Sequence, residues 1–168
     1  MANLNDTIAA ISTAIGEAGI AIVRMSGDDS VNIIDEIFVS ASGKKMAEAE
    51  NRKFLYGHIA DGDKLIDEVL VVKMKGPHSY TAEDIVEIHC HGGVVSVKRI
   101  LNLILSKGAR LAEKGEFTKR GFLNGRIDLT QAEAVIDMIK AKTDISFDMG
   151  LNQLSGALSE VLNKLKDE

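Results

Sequence analysis

At 168 residues the chain has room for one ordinary domain, or for a domain and part of another. With 45% hydrophobic and 27% charged residues it can bury a real core, so wholesale disorder is excluded. A net charge of −5 argues against a dedicated nucleic-acid surface, and the single cysteine excludes an internal disulfide or a multi-cysteine zinc site.

Thr7 to Ile11 is a short β-prone run closed by Ser12-Thr13, and Gly16 and Gly19 flank the turn that follows. Ile20 to Met25 reads as a second strand, ending at Ser26-Gly27. Asp28, Asp29 and Ser30 are N-cap candidates for a helix whose Val31, Ile34, Ile37 and Phe38 recur at helical spacing. Ala41 to Arg52 is small, polar and charged, which predicts a loop. Lys53 to Ala60 and Lys64 to Lys75 are expected strands around Asp61-Gly62-Asp63, a strong hairpin signal. Val69 to Val72 is apolar without interruption, as in a strand buried on both faces.

Gly76-Pro77-His78 is a turn, and it leads into Ser79 to Gly93. Within that stretch Ile85 to Cys90 predicts a strand, with Glu87, His89 and His91 on one face and Val86, Ile88 and Cys90 on the other. From Val94 the period turns helical, with Val94, Val97, Ile100, Leu101, Ile104 and Leu105 in one stripe that Gly108 ends. Ala109 to Ala112 is expected to return as an edge strand. Strands and hairpins mixed with amphipathic helices make the expected class α+β, a mixed sheet with flanking helices, over residues 1–118.

From 119 to 168 the pattern is all helical. Glu116 to Asn124 predicts a short helix with Phe117, Phe122 and Leu123 packed inward, stopped by Asn124-Gly125. The next helix is expected to use Thr130 as cap and Glu133 as its capping-box partner, with Ala132, Val135, Met138, Ile139 and Ala141 apolar. Leu151, Leu154, Leu158, Leu162 and Leu165 form a heptad-like seam that needs a partner, either from another chain or from a longer protein. No secretory leader is recognisable and no apolar run is long enough to span a bilayer, so the cytoplasm is the expected compartment and no membrane partner is expected.

Several residues have two readings. Glu87 lies in an apolar strand, so it either faces water or waits in a cleft for donors, because charged residues are seldom buried unless paired. Arg24 is either an exposed strand-end arginine or a fork-shaped donor for a carboxylate or ring oxygen. His89 and His91 share a face, but Cys90 points away, which leaves too few convergent ligands for a metal. Apolar neighbours keep the Cys90 thiol protonated and make it a small hydrophobe rather than a nucleophile. His91-Gly92-Gly93 either presents amides to an anion or makes a tight strand-to-helix turn. Arg120, Asn124 and Arg126 are polar enough to line a pocket. No Gly-x-x-x-x-Gly-Lys-Ser/Thr loop occurs, so the chain by itself is not expected to hydrolyse nucleotides.

Five motifs occur in one order and spacing. They are Asp6 to Ala10, Gly19 to Gly27, Ser79 to Gly93, Gly115 to Thr118 with Phe122 to Leu129, and Gln131 to Ala134. Together they resemble the N-terminal region of the MnmE (TrmE) family of tRNA-modifying GTPases. The resemblance implies a folate-binding and dimerisation domain, similar to the folate domain of the glycine-cleavage aminomethyltransferase, followed by the first helices of a helical domain. The GTPase domain, which uses GTP, Mg and K in the family's full-length proteins, has no counterpart here, and neither has the family's C-terminal cysteine motif. The implied cofactor is a tetrahydrofolate derivative, 5-formyl- or 5,10-methylene-tetrahydrofolate, which supplies one carbon for the wobble uridine of certain tRNAs. The implied partners are a second copy of the chain, the flavoprotein MnmG and tRNA.

Carried over by motif, the folate-binding residues are Arg24, Glu87 and Arg126, with Arg120, Asn124 and His89 as further pocket candidates; no catalytic residue and no metal ligand is implied. A pterin edge offers two adjacent N–H donors that one carboxylate accepts bidentately, and a nearby guanidinium keeps that carboxylate charged. The sequence departs from the family pattern at Ala14 to Ala18, where a Pro-Pro-Gly turn is usual, at Ala82 for glycine, at Lys114 for proline and at Arg126 for lysine. Two alternatives from other classes stand beside this reading. One is a structural dimerisation scaffold whose ligand site has decayed, and the other is a stand-alone aminomethyltransferase-like enzyme.

Overall fold

A computed structural model describes residues 6–156, and the chain divides into two units, Met1–Lys114 and Gly115–Glu168. The first contains β1 (Ile8–Ile11), β2 (Ala21–Ser26), α1 (Ser30–Ile37), β3 (Phe38–Ser40), β4 (Leu55–Asp61), β5 (Lys64–Met74), β6 (Ile85–Cys90), α2 (Val94–Ser106) and β7 (Arg110–Leu111). Its strands form one sheet in the order β3-β4-β5-β6-β2-β1-β7, antiparallel except where β7 runs parallel to β1. The fold is α+β with a mixed sheet, as the sequence predicts.

Strand alternation makes the sheet two-sided. Ala21, Val23 and Met25 of β2 join Val86, Ile88 and Cys90 of β6 and Val69 and Val71 of β5 in one buried cluster. Both helices contribute to it, α1 through Ile33, Ile34 and Ile37, and α2 through Val97, Ile100, Leu103 and Ile104. Burying each of these aliphatic side chains contributes about 1.5–3 kcal/mol. On the other face Tyr56 is 48% and Leu70 44% exposed. The expectation that Val69 to Val72 is buried on both faces is therefore corrected: Val69, Val71 and Val72 are buried, Leu70 is not.

Two helices also differ from expectation. Phe38 leaves the helix and opens β3 opposite Ile59, although its amide still bonds the Ile34 carbonyl. In α2 the inward stripe takes in Leu103, while Val94 is exposed and Leu101 and Leu105 are only partly buried.

Two polar devices fix the loops. In the turn before β6, Ser79 Oγ donates to the Glu83 carbonyl at 2.5 Å and the Gly76 amide to Asp84 Oδ1 at 2.9 Å. Between them Ala82 adopts φ +62°, the left-handed region that glycine enters without strain. Asp67 of β5 clasps the entry to α2. Its carboxylate accepts the His91 amide at 3.0 Å, the His91 imidazole at 2.6 Å and the Ser96 hydroxyl. Burial alone would raise the Asp67 carboxyl, but the Ser96 and His91 donors outweigh it and hold it below its ordinary range. Its hydrogen bond and charge raise the His91 imidazole in turn.

The second unit contains α3 (Glu116–Leu123), α4 (Leu129–Lys140) and α5 (Asp144–Leu154). In α3 the expectation holds only in part: Phe117 is partly buried but Phe122 and Leu123 are exposed, whereas Glu116 and Arg120 are buried and paired at 3.2 Å. Four residues apart on a helix, the two opposite charges pair through Arg120 Nη2 and Glu116 Oε1, while the buried Arg120 Nε has no hydrogen-bond partner among the described residues. The cap of α4 is Asp128 rather than Thr130. Its carboxylate accepts the Gln131 amide and the Gln131 side chain reaches back to the Asp128 amide, so Glu133 takes no part in the box. Ala134 is the buried residue of α4, while Ile136 and Ile139 are exposed. Gly150 lets α5 approach Met138 of α4, since a Cβ there would lie 2.7 Å from Met138 Cγ. Leu151 and Leu154 of the expected seam lie on α5, which ends at Leu154, and Leu158, Leu162 and Leu165 fall outside the described residues.

Ala82→Gly is expected to raise stability by about 0.5–1 kcal/mol, read as an increased urea midpoint, because it relieves the left-handed strain and loses part of that gain to a freer unfolded chain. The clasp predicts a pH dependence as well. His91 has a raised pKa, so its stabilisation is complete below its ordinary 6.5 and is lost as pH climbs through the higher folded value. Asp67 is depressed, so its part is complete above 3.8 and is lost as pH falls through the lower folded value. Urea midpoints of the intact chain are expected to fall as pH rises above 6.5, and His91→Gln is expected to flatten that decline.

Candidate functional site

Arg24 sits on the open face of β2 because Ala21, Val23 and Met25 take the core face. Antiparallel pairing places it opposite Glu87 of β6, with Ala10 and Val72 completing the row across the sheet. Arg24 Nε and Nη2 both donate to Glu87 Oε1, at 2.8 and 2.6 Å. The other carboxylate oxygen lies 3.2 Å from His89 Nε2, two residues along the same face. With its side chain 14% exposed, Glu87 is neither in open water nor buried alone. The pair stands between exposed ion pairs, worth about 0–1 kcal/mol, and buried ones, where removing one partner costs about 3–5 kcal/mol. Of the sequence candidates, Arg24, Glu87 and His89 therefore meet.

Rings surround this group. The Tyr80 ring centre lies 5.5 Å from the Arg24 guanidinium carbon, and Phe54 meets the His89 imidazole edge-on, with centres 5.1 Å apart. Along β6 from Glu87, a cavity of about 320 Å³ is lined by Ile20, Tyr56, Glu68, Leu70, His89 and His91. Tyr56 donates its hydroxyl to Glu68 there at 2.9 Å. Behind it Cys90 is chemically quiet: burial, and then the Asp67 charge, push its thiol up to about 11. Gly93 caps α2 with extended backbone, and Gly92 is pressed against the Ala18 carbonyl, leaving no space for a Cβ. His91-Gly92-Gly93 is thus a tight turn that seats the loop before β2. Among the described residues no group of three His, Cys, Asp or Glu is placed to hold a metal ion, and no helix is long and apolar enough to cross a membrane.

Arg120, Asn124 and Arg126 belong to the second unit. Arg120 is buried and donates to Glu116, Asn124 caps the C-terminus of α3 through its amide on the Arg120 carbonyl, and exposed Arg126 bonds the Gly121 carbonyl through its own amide. Sequence reasoning missed Tyr80, Phe54 and the Ser26–Thr81 contact near Arg24. Alternation along β2 places Ser26 on the face of Arg24, but nothing local shows which way a turn residue such as Tyr80 points.

Comparison with known proteins agrees with the motif pattern. The family described as GTP-binding protein TrmE N-terminus matches residues 7–126. The tRNA modification GTPase MnmE of Alkaliphilus metalliredigens (strain QYMF) is 63% identical over 167 residues, which is 98% of this chain and 36% of that protein. Its counterpart in Clostridioides difficile (strain 630) is 60% identical over 165 residues, 98% and 36% of the two chains, and that of Bacillus subtilis (strain 168) is 52% identical over 165, 97% and 36%. The chain thus spans 36% of the length of these curated relatives. By the family match over residues 7–126 and the identity to these relatives, the chain belongs to the TrmE N-terminus family.

Proposed function

We propose that the chain is the tetrahydrofolate-binding and self-association module of a tRNA-modifying GTPase acting in the cytoplasm. The observation that carries this reading is the carboxylate of Glu87, held on an open sheet face between Arg24 and His89. Its donors fix its orientation, and its edge suits the paired N–H groups of a pterin. The fit has a cost. Glu87 Oε1 already takes two guanidinium N–H groups and Oε2 faces an imidazole, so a bidentate ligand exchanges with at least one of these donors. When bound, the folate supplies a one-carbon unit. The chain's own residues bind and orient: Glu87 accepts, and Arg24 holds Glu87.

Self-association is supported by the apolar side chains of the open face, Val39 at 62%, Phe54 at 48% and Leu70 at 44% exposure, which a second copy would cover. The rest belongs to the longer protein, namely GTP hydrolysis with Mg and K, work with MnmG, and modification of wobble uridine in tRNA. A folate-free dimerisation scaffold is the second reading, favoured by a carboxylate whose two oxygens both have donors already.

Calorimetry separates the two. The chain is expected to give a binding isotherm with 5-formyltetrahydrofolate, and Glu87→Gln to weaken it at least about tenfold while its urea midpoint stays close to that of the parent. Heats equal to those of buffer for the parent would leave the scaffold. Sedimentation equilibrium is expected to return twice the chain mass, and a monomer at micromolar concentration would remove the self-association part.

A further inference from the structure

Arg24 and Ser26 lie two residues apart on one strand and share its open face, and Ser26 ties down the turn that precedes β6. Its hydroxyl donates to Glu83 Oε2 at 2.7 Å, so the hydroxyl of Thr81, 2.6 Å away, is the donor to Ser26 Oγ. Thr81 Oγ1 in turn accepts the Glu83 amide at 3.2 Å, and both Ser26 and Thr81 are fully buried. This pinning sets the neighbouring residue, Tyr80, across the Arg24 guanidinium at 5.5 Å, within the range at which a cation is drawn to a ring face. The left-handed backbone of Ala82 then turns the chain away toward β6. A strained turn overdetermined by hydrogen bonds is a construction found where a side chain is held for use.

We infer that Tyr80 is a positioning residue for the ligand site. Its ring fixes the plane of the Arg24 guanidinium, so that Nε and Nη2 both stay on Glu87 Oε1 and the carboxylate keeps one orientation. The inference rests on the folate reading for its binding consequence, but not for its effect on Arg24. Tyr80 is only half-buried, so its role is to orient rather than to fill core.

The test uses the intact chain and two readouts. In nitrogen-detected NMR without ligand, Tyr80→Ala is expected to remove the ring-current displacement of the Arg24 Nε–H signal, and Tyr80→Phe to retain it. In calorimetry with 5-formyltetrahydrofolate, Tyr80→Ala is expected to weaken binding about five- to tenfold and Tyr80→Phe by less than about twofold. In an Arg24→Ala background, Tyr80→Ala is expected to add nothing further. An unchanged Arg24 Nε–H signal in Tyr80→Ala, or losses that simply add, would overturn the inference. If the parent chain gives no isotherm, the folate reading falls and the NMR arm still decides Tyr80. Should Tyr80→Ala fail to fold, Tyr80→Leu keeps the bulk without the ring and is read the same way.

Discussion

A guanidinium on one strand and a carboxylate on the next meet only if the strands pair in a single register, and here that register places Arg24 opposite Glu87. A slip of β6 by one residue would turn Glu87 into the core and expel Ile88 from it. The apolar face therefore guarantees the polar one. Burying Val23, Met25, Val86 and Ile88 under the two helices holds β2 and β6 in place, and the ion pair follows without having to supply the stability itself. The register that brings Arg24 to Glu87 comes from packing on the far side of the sheet.

Much of this was legible in the residues. Alternation assigned Glu87 and His89 of β6 to one face and Val86, Ile88 and Cys90 to the other, because a period of two is unambiguous when one face is apolar. The hairpin at Asp61-Gly62-Asp63 and the edge strand after Gly108 follow from turn chemistry of the same local kind. What failed was inference about what lies across an element. The apolar run Val69 to Val72 looks doubly buried in sequence, yet both helices pack on one side only. In α3 Phe122 and Leu123 look inward until Glu116 and Arg120, four apart, are found to pair and take the buried face. At α4, Asp128 and Thr130 are equally good caps by composition, and only the backbone geometry of Asp128 decides between them.

The loops tell a related story. Ala82 takes the left-handed backbone that glycine enters without strain, and the hydrogen bonds around the turn hold it there. Asp67 gathers donors from a strand end and a helix start, which lets a glycine pair that is floppy in isolation become a fixed corner.

The parallel contact between β1 and β7 has a further consequence, for the order in which the chain acquires structure. Arg110 reaches Asp6 through Nε at 2.6 Å across 104 residues, and its amide bonds the Thr7 carbonyl at 2.8 Å. β1 is thus a member of a sheet whose strand β7 is made about a hundred residues later, and β2 likewise waits for β6. High contact order of this sort slows collapse to the native topology and leaves early strands unpaired during synthesis. The local hairpin of β4 and β5 is the piece able to form first, and the site on β2 and β6 comes into being only once the middle of the chain is already in place.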